Sequence, residues 1–141
     1  MTTPGPGNTD SDLTVALVHG AFADSSGWNG VVAGLQAAGV PVRAISNPLR
    51  GIAEDAAYVA GALAQIPGPV LAVGHSYGGA IITNAALRAG NVVGLVYVAA
   101  FAPDEGEQLI EIEGGPHVLC VTHAEEVNRE LLAFLSDAAS R

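Results

Sequence analysis

One turn constrains this chain more than any other stretch. The apolar run Pro69-Val70-Leu71-Ala72-Val73 meets Gly74-His75-Ser76-Tyr77-Gly78-Gly79, and Ala80 to Arg88 follows. That is strand, tight turn and helix, with glycine two positions before and two after a serine. The turn strains the serine backbone, and small neighbours are needed for strand and helix to approach each other. The serine Oγ then stands above the sheet beside a helix N-terminus, where N–H groups and the helix dipole favour developing negative charge. Ser76 is the candidate nucleophile; the plainer alternative, a serine that only caps the helix, does not explain the flanking glycines.

The rest of the chain fits around that turn. Residues 1–12, rich in Thr, Pro, Gly and Asp, predict a disordered lead-in without the charged and apolar regions of a signal peptide. Leu13 to Val18 predicts a buried strand, Trp28 to Ala38 a helix closed by Gly39, and Val40 to Ile45 a second strand. Ile52 to Ile66 predicts a second helix, Val70 to Gly74 a third strand, and Val92 to Ala100 a fourth. Such alternation calls for a parallel sheet whose ligands bind beyond the C-terminal strand ends, where His19, Ser76 and Phe101 fall. Further on, Leu109 to Glu113 alternates as a half-exposed strand would. Gly114-Gly115-Pro116-His117 makes a turn, and Thr122-His123-Ala124-Glu125 fits a capping box for a last helix.

Composition removes several functions. The 141 residues suit one domain, 13–141, with a substantial core. Net charge is −9, and the only basic side chains besides histidine are five scattered arginines. No basic stripe faces phosphates, so no nucleic-acid partner is expected. No apolar run reaches the ~20 residues of a membrane helix, and a cytoplasmic location without membrane contact is the expectation. Cys120 is the single cysteine and reads as a buried thiol. The histidines lack metal-ligand spacing, and neither a dinucleotide loop nor a phosphate-loop lysine is present, so no metal or cofactor is expected.

With these residues in view, the sequence resembles the α/β-hydrolase fold superfamily. Val18-His19-Gly20-Ala21-Phe22-Ala23-Asp24-Ser25-Ser26-Gly27-Trp28, Val73 to Ala80 and Tyr97 to Gly106 are similar to cofactor-free esterase and lactonase-like hydrolases. Glu113 to His117 and Thr122 to Leu132 are similar to the histidine end of the arylesterase and cofactor-free haloperoxidase branch. The resemblance implies a three-layer sandwich on a short, mostly parallel sheet, a minimal core without a cap. Members of the superfamily usually carry a cap, further helices and an Asp-bearing strand where this chain has only residues 101–116. That shortening poses a geometric problem. A parallel crossover needs about a dozen residues or more, whereas Phe101 to Gln108 is all that precedes the fifth strand. An antiparallel fifth strand would deliver His117 to the wrong end of the sheet. A loop back over the sheet, a non-strand path, or a homodimer exchanging its C-terminal segment would each resolve this.

The resemblance places His117 as general base and the N–H groups of Tyr77 and Ala21, with Phe22 the alternative, as the oxyanion hole. His19 would orient that loop, and Phe22 and Trp28 are candidates to line an acyl pocket, with the core the first expectation for Trp28. His75 fills the elbow's variable slot and packs, and His123 sits in the last helix's first turn. For the acid, Asp104 lies nearest the end of the fourth strand, with Glu105 and Glu107 as alternatives. The implied activity is that of a carboxylesterase-like serine hydrolase on small esters, with peracid formation as a side activity implied by the tail. A shortened scaffold of feeble activity, self-associating through its sheet edge, is the competing expectation. C–C lyase or hydratase chemistry on the same fold is a third.

Overall fold

The computed structural model describes residues 13–100, 117 and 119–140 of the chain. Four strands, β1 (Thr14–Val18), β2 (Val42–Ile45), β3 (Val70–His75) and β4 (Val92–Val98), form one sheet in the order β2-β1-β3-β4. All neighbours are parallel. The helices are α1 (Asn29–Ala37), α2 (Ile52–Ala64), α3 (Tyr77–Ala89), the short α4 (Leu119–Thr122) and α5 (Ala124–Ala139).

The period-two alternation of the strands divides the core in two. Ala16, Val18, Val70 and Ala72 face α2 and α3, packing with Val59, Leu63, Ile81 and Ile82. Val15, Leu17, Leu71 and Val73 face the opposite side, against Val31 and Leu35 of α1 and Val127 and Leu131 of α5. The result is the expected three-layer sandwich. The strand order also dictates which helix covers which face. The chain steps from β1 outward to β2, then back across to β3 and on to β4. A single crossover hand therefore puts α1 on one face and α2 and α3 on the other. The reversal leaves a crevice at the C-terminal ends of β1 and β3, where ligands bind in such sheets.

Local chemistry shifts several boundaries. The first helix is preceded by a 3-10 turn, Ser25–Trp28, in which the Asp24 carboxylate accepts from Ser26 N at 2.8 Å. The second strand starts two residues late because Val40 still closes α1 through Leu35 O and Pro41 cannot donate to a ladder. The fourth ends at Val98, since Ala99 takes φ 46° and leaves the extended region. The capping box does not form as predicted. Thr122 ends α4 and its Oγ1 lies 2.8 Å from His123 Nδ1, while His123 precedes α5 and its carbonyl accepts from Val127 N at 3.0 Å. The predicted fifth strand, Leu109 to Glu113, lies outside the described residues.

The C-terminal helix is docked through small residues. A Cβ on Gly30 would come within 2.8 Å of Ala124 Cβ, and one on Gly34 would run into the Asn128 amide. These pairs are each four apart on their helices, so they share one face. Asn128 Nδ2 donates to Gly30 O at 3.2 Å. Among the described residues no helix is long and apolar enough to cross a membrane.

Candidate active site

Ser76 joins β3 to α3 with φ 53° and ψ −121°, a conformation a residue with a side chain rarely takes. The glycines around it explain how the turn is possible. A Cβ on Gly74 would sit 2.6 Å from Gly78 O, and one on Gly78 would collide with Val18 O. On Gly20, at the end of β1, it would meet Ser76 Cβ at 3.0 Å. Two strand ends and one helix start thus converge on Ser76, which stays half-buried with Oγ available. Its own N–H donates to Val98 O at 3.1 Å and its carbonyl accepts from Gly79 N at 2.9 Å, fixing the turn.

His117 lies over this elbow in the same chain. Its Nε2 is 2.8 Å from Ser76 Oγ, and its backbone carbonyl accepts from His75 Nε2. Of the routes open in the sequence, the described geometry is one in which the histidine meets the serine without a second chain. His117 is exposed, so the pair faces solvent. Asp104, Glu105 and Glu107 lie outside the described residues.

The loop after β1 carries Ala21 and Phe22, both exposed; Phe22 takes φ 59° and its ring is fully in solvent. His19 braces the base of this loop. It is buried, its Nε2 accepts from Asn47 N at 2.9 Å, and Nδ1 is left to donate to Gly20 O at 2.8 Å. Asn47 returns the contact through Nδ2 to His19 O at 3.3 Å, binding the loops after β1 and β2 together. Trp28 is fully buried, as expected of a core residue, and meets the His75 ring edge-on at 6.4 Å.

Two participants were not foreseen from sequence. Asp55 is fully buried in the first turn of α2 and accepts from Arg50 N at 2.9 Å, Gly51 N at 3.4 Å and the Tyr77 hydroxyl at 2.6 Å. Burial opposes its ionisation, but these hydrogen bonds outweigh it and hold the carboxyl below its usual range. Burial and the Asp55 bond push the Tyr77 phenol up to about 12. The signal was available: Asp55 shares a buried stripe with Val59 and Leu63, four residues apart, where a carboxylate requires partners. Asn47 offered no such pattern.

Cavities of about 450 Å³ open beside β2 and α2, one lined by Ser46, Pro48, Arg50, Glu54 and Tyr58, and neither includes Ser76 or His117. The strained backbone at Ser76 and its contact with His117 mark out a separate candidate site. Among the described residues no cluster of three or more His, Cys, Asp or Glu side chains could hold a metal ion.

Comparison with known proteins decides the family. A model of the alpha/beta hydrolase family matches residues 15–135. The chain belongs to that family. Among solved structures, this chain is similar to an extracellular alpha/beta-hydrolase from a Paenibacillus species, described as sharing structural and functional homology with tobacco salicylic acid binding protein 2. The identity is 24% and the TM-score 0.59, over 67% of this chain and 43% of that one. It is 31% identical to a pyrethroid hydrolase from Sphingobium faniae, with a TM-score of 0.53, over 62% of this chain and 40% of the other. A tomato methylketone synthase I mutant shares the fold at 21% identity and a TM-score of 0.57, over 79% and 46%. The chain thus spans less than half the length of these structures. Curated protein sequences give no match.

Proposed function

We propose that this alpha/beta hydrolase cleaves small carboxylic esters through an acyl-enzyme on Ser76, with His117 as general base. The observation that carries the reading is the 2.8 Å contact between Ser76 Oγ and His117 Nε2 at a serine held with φ 53°. As Oγ attacks the acyl carbon, Nε2 takes its proton and the carbonyl oxygen becomes an oxyanion. The N–H groups of Tyr77 and of Ala21, or Phe22 in its place, receive that charge. Collapse of the intermediate breaks the ester C–O bond, and the alcohol leaves with the proton from His117. Water then attacks the acyl-enzyme, giving a proton to His117, and Ser76 departs with it as the carboxylic acid is released. Asp104 is the proposed partner of His117 Nδ1, with Glu105 and Glu107 as alternatives.

Exposure of His117 and Phe22 favours short, activated esters over large or water-sensitive ones, since among the described residues little surface at the site excludes solvent. Labelling with a fluorophosphonate probe tests the reading. Wild type is expected to label at Ser76, and Ser76→Ala to lose the label and the hydrolysis of p-nitrophenyl acetate. His117→Ala is expected to fall by orders of magnitude in both. Labelling of His117→Ala at the wild-type rate would remove His117 from the mechanism.

A further inference from the structure

The general base is gripped twice by the elbow, once through its side chain and once through its backbone. We propose that His75, in the slot between Gly74 and the nucleophile, is the positioning residue for His117, holding it by the hydrogen bond from His75 Nε2–H to the His117 carbonyl. The proposal rests on the hydrolase reading above and names what keeps its base in place.

The turn itself needs glycine at 74 and 78 but sets no demand on residue 75. Yet His75 is buried, and its ring packs against a core side chain. Trp28 meets it edge-on at 6.4 Å with the planes at 89°. A ring packed in this way is a rigid donor. Its Nε2 meets the carbonyl of His117, while the His117 ring lies 5.0 Å from it at 44° and turns Nε2 to Ser76 Oγ. Consecutive residues of one strained turn thus fix both the backbone position and the ring of the base. His117 is exposed and helix α4 begins only at Leu119, so regular structure does not hold it directly. Burial lowers the basicity of His75 and outweighs the opposing pull of its bond to the His117 carbonyl. With a carbonyl oxygen as its partner, His75 Nε2 carries a proton in this contact.

The test compares His75→Phe, which fills the slot without a donor, with His75→Gln, which keeps an N–H. Amide hydrogen exchange over residues 117–122 is read beside kcat and KM for p-nitrophenyl acetate. Exchange is expected to quicken in His75→Phe and kcat to fall about 10-fold or more, as misplacing a catalytic group by about 1 Å can cost 100-fold. KM should stay within about two-fold, and His75→Gln should keep most of both wild-type properties. Unchanged exchange or unchanged kcat in His75→Phe overturns the proposal. So does a His75→Gln variant as impaired as His75→Phe. A wild type that fails to label at Ser76 ends the hydrolase reading and this proposal with it. Labelling that depends on His117 but not on His75 ends this proposal alone.

Discussion

The Tyr77 hydroxyl donates to Asp55 across 2.6 Å, tying the residue after Ser76 to the first turn of α2. The same carboxylate accepts from the N–H groups of Arg50 and Gly51, so it also holds the loop that enters that helix. The N–H proposed for the oxyanion hole thus belongs to a residue whose side chain is anchored on another element.

Replacing Asp55 with Asn should therefore be felt twice. Asp55 has its carboxyl depressed, so its contribution to stability is present above the usual value of 3.8 and is lost as pH falls below it. Asp55→Asn should lower the melting temperature at neutral pH and lose part of the acid slope, read by thermal unfolding across pH 2–7. The raised Tyr77 phenol has the opposite sense: its contribution holds below the usual 10.0 and is lost as pH rises towards about 12. A phenolate absorbance titration, with Tyr77→Phe as the blank, should show Tyr77 ionising late in wild type and closer to 10.0 in Asp55→Asn.

The single-chain contact between Ser76 and His117 makes a prediction about concentration. Exchange of C-terminal segments between chains would make activity depend on association, so specific activity would collapse on dilution. With the 2.8 Å contact formed within one chain, specific activity should stay constant from micromolar to nanomolar protein. Loss of activity on dilution, recovered on concentration, would show that the working site is shared between chains.

What the sequence disclosed and what it withheld follow from how far each contact reaches along the chain. The elbow was legible because its requirement is local: Gly74 and Gly78 lie within two residues of Ser76 and leave no room for a Cβ. The parallel sheet was legible because strand and helix alternate with short connections. Asp55 meets Tyr77 across 22 positions and His75 meets His117 across 42, and no local pattern announces either bond. Even a local pattern was outcompeted at Thr122, whose hydroxyl pairs with the ring of His123 and whose residue ends one helix instead of opening the next. His117 was assigned by resemblance, and only the fold supplies its distance to Ser76.

Two glycines should respond to alanine with opposite sign. Gly61 lies in α2 with nothing within 4 Å of a Cβ, so Gly61→Ala should stabilise by about 0.5–1 kcal/mol through helix propensity and a less flexible unfolded chain. A Cβ on Gly78 collides with Val18 O and reaches His19 O at 2.8 Å, both backbone atoms of a central strand end. Gly78→Ala must therefore separate α3 from β1, at about 1–3 kcal/mol or more. Denaturant unfolding of the two variants reads the contrast directly.

The strain at Ser76 predicts that the proposed nucleophile is held at a cost in stability. A residue with a side chain at φ 53° and ψ −121° carries about 1–3 kcal/mol of strain. Ser76→Ala removes the hydroxyl and its contact with His117 but keeps the Cβ and hence the strain. Ser76→Gly removes the strain as well, against about 0.5–1 kcal/mol for the freer unfolded chain. The strain is the larger of the two, so Ser76→Gly should be more stable than Ser76→Ala by about 1 kcal/mol, while both are inactive. Equal stabilities by denaturant unfolding would mean that the elbow is held without strain, and that the flanking glycines serve close approach alone.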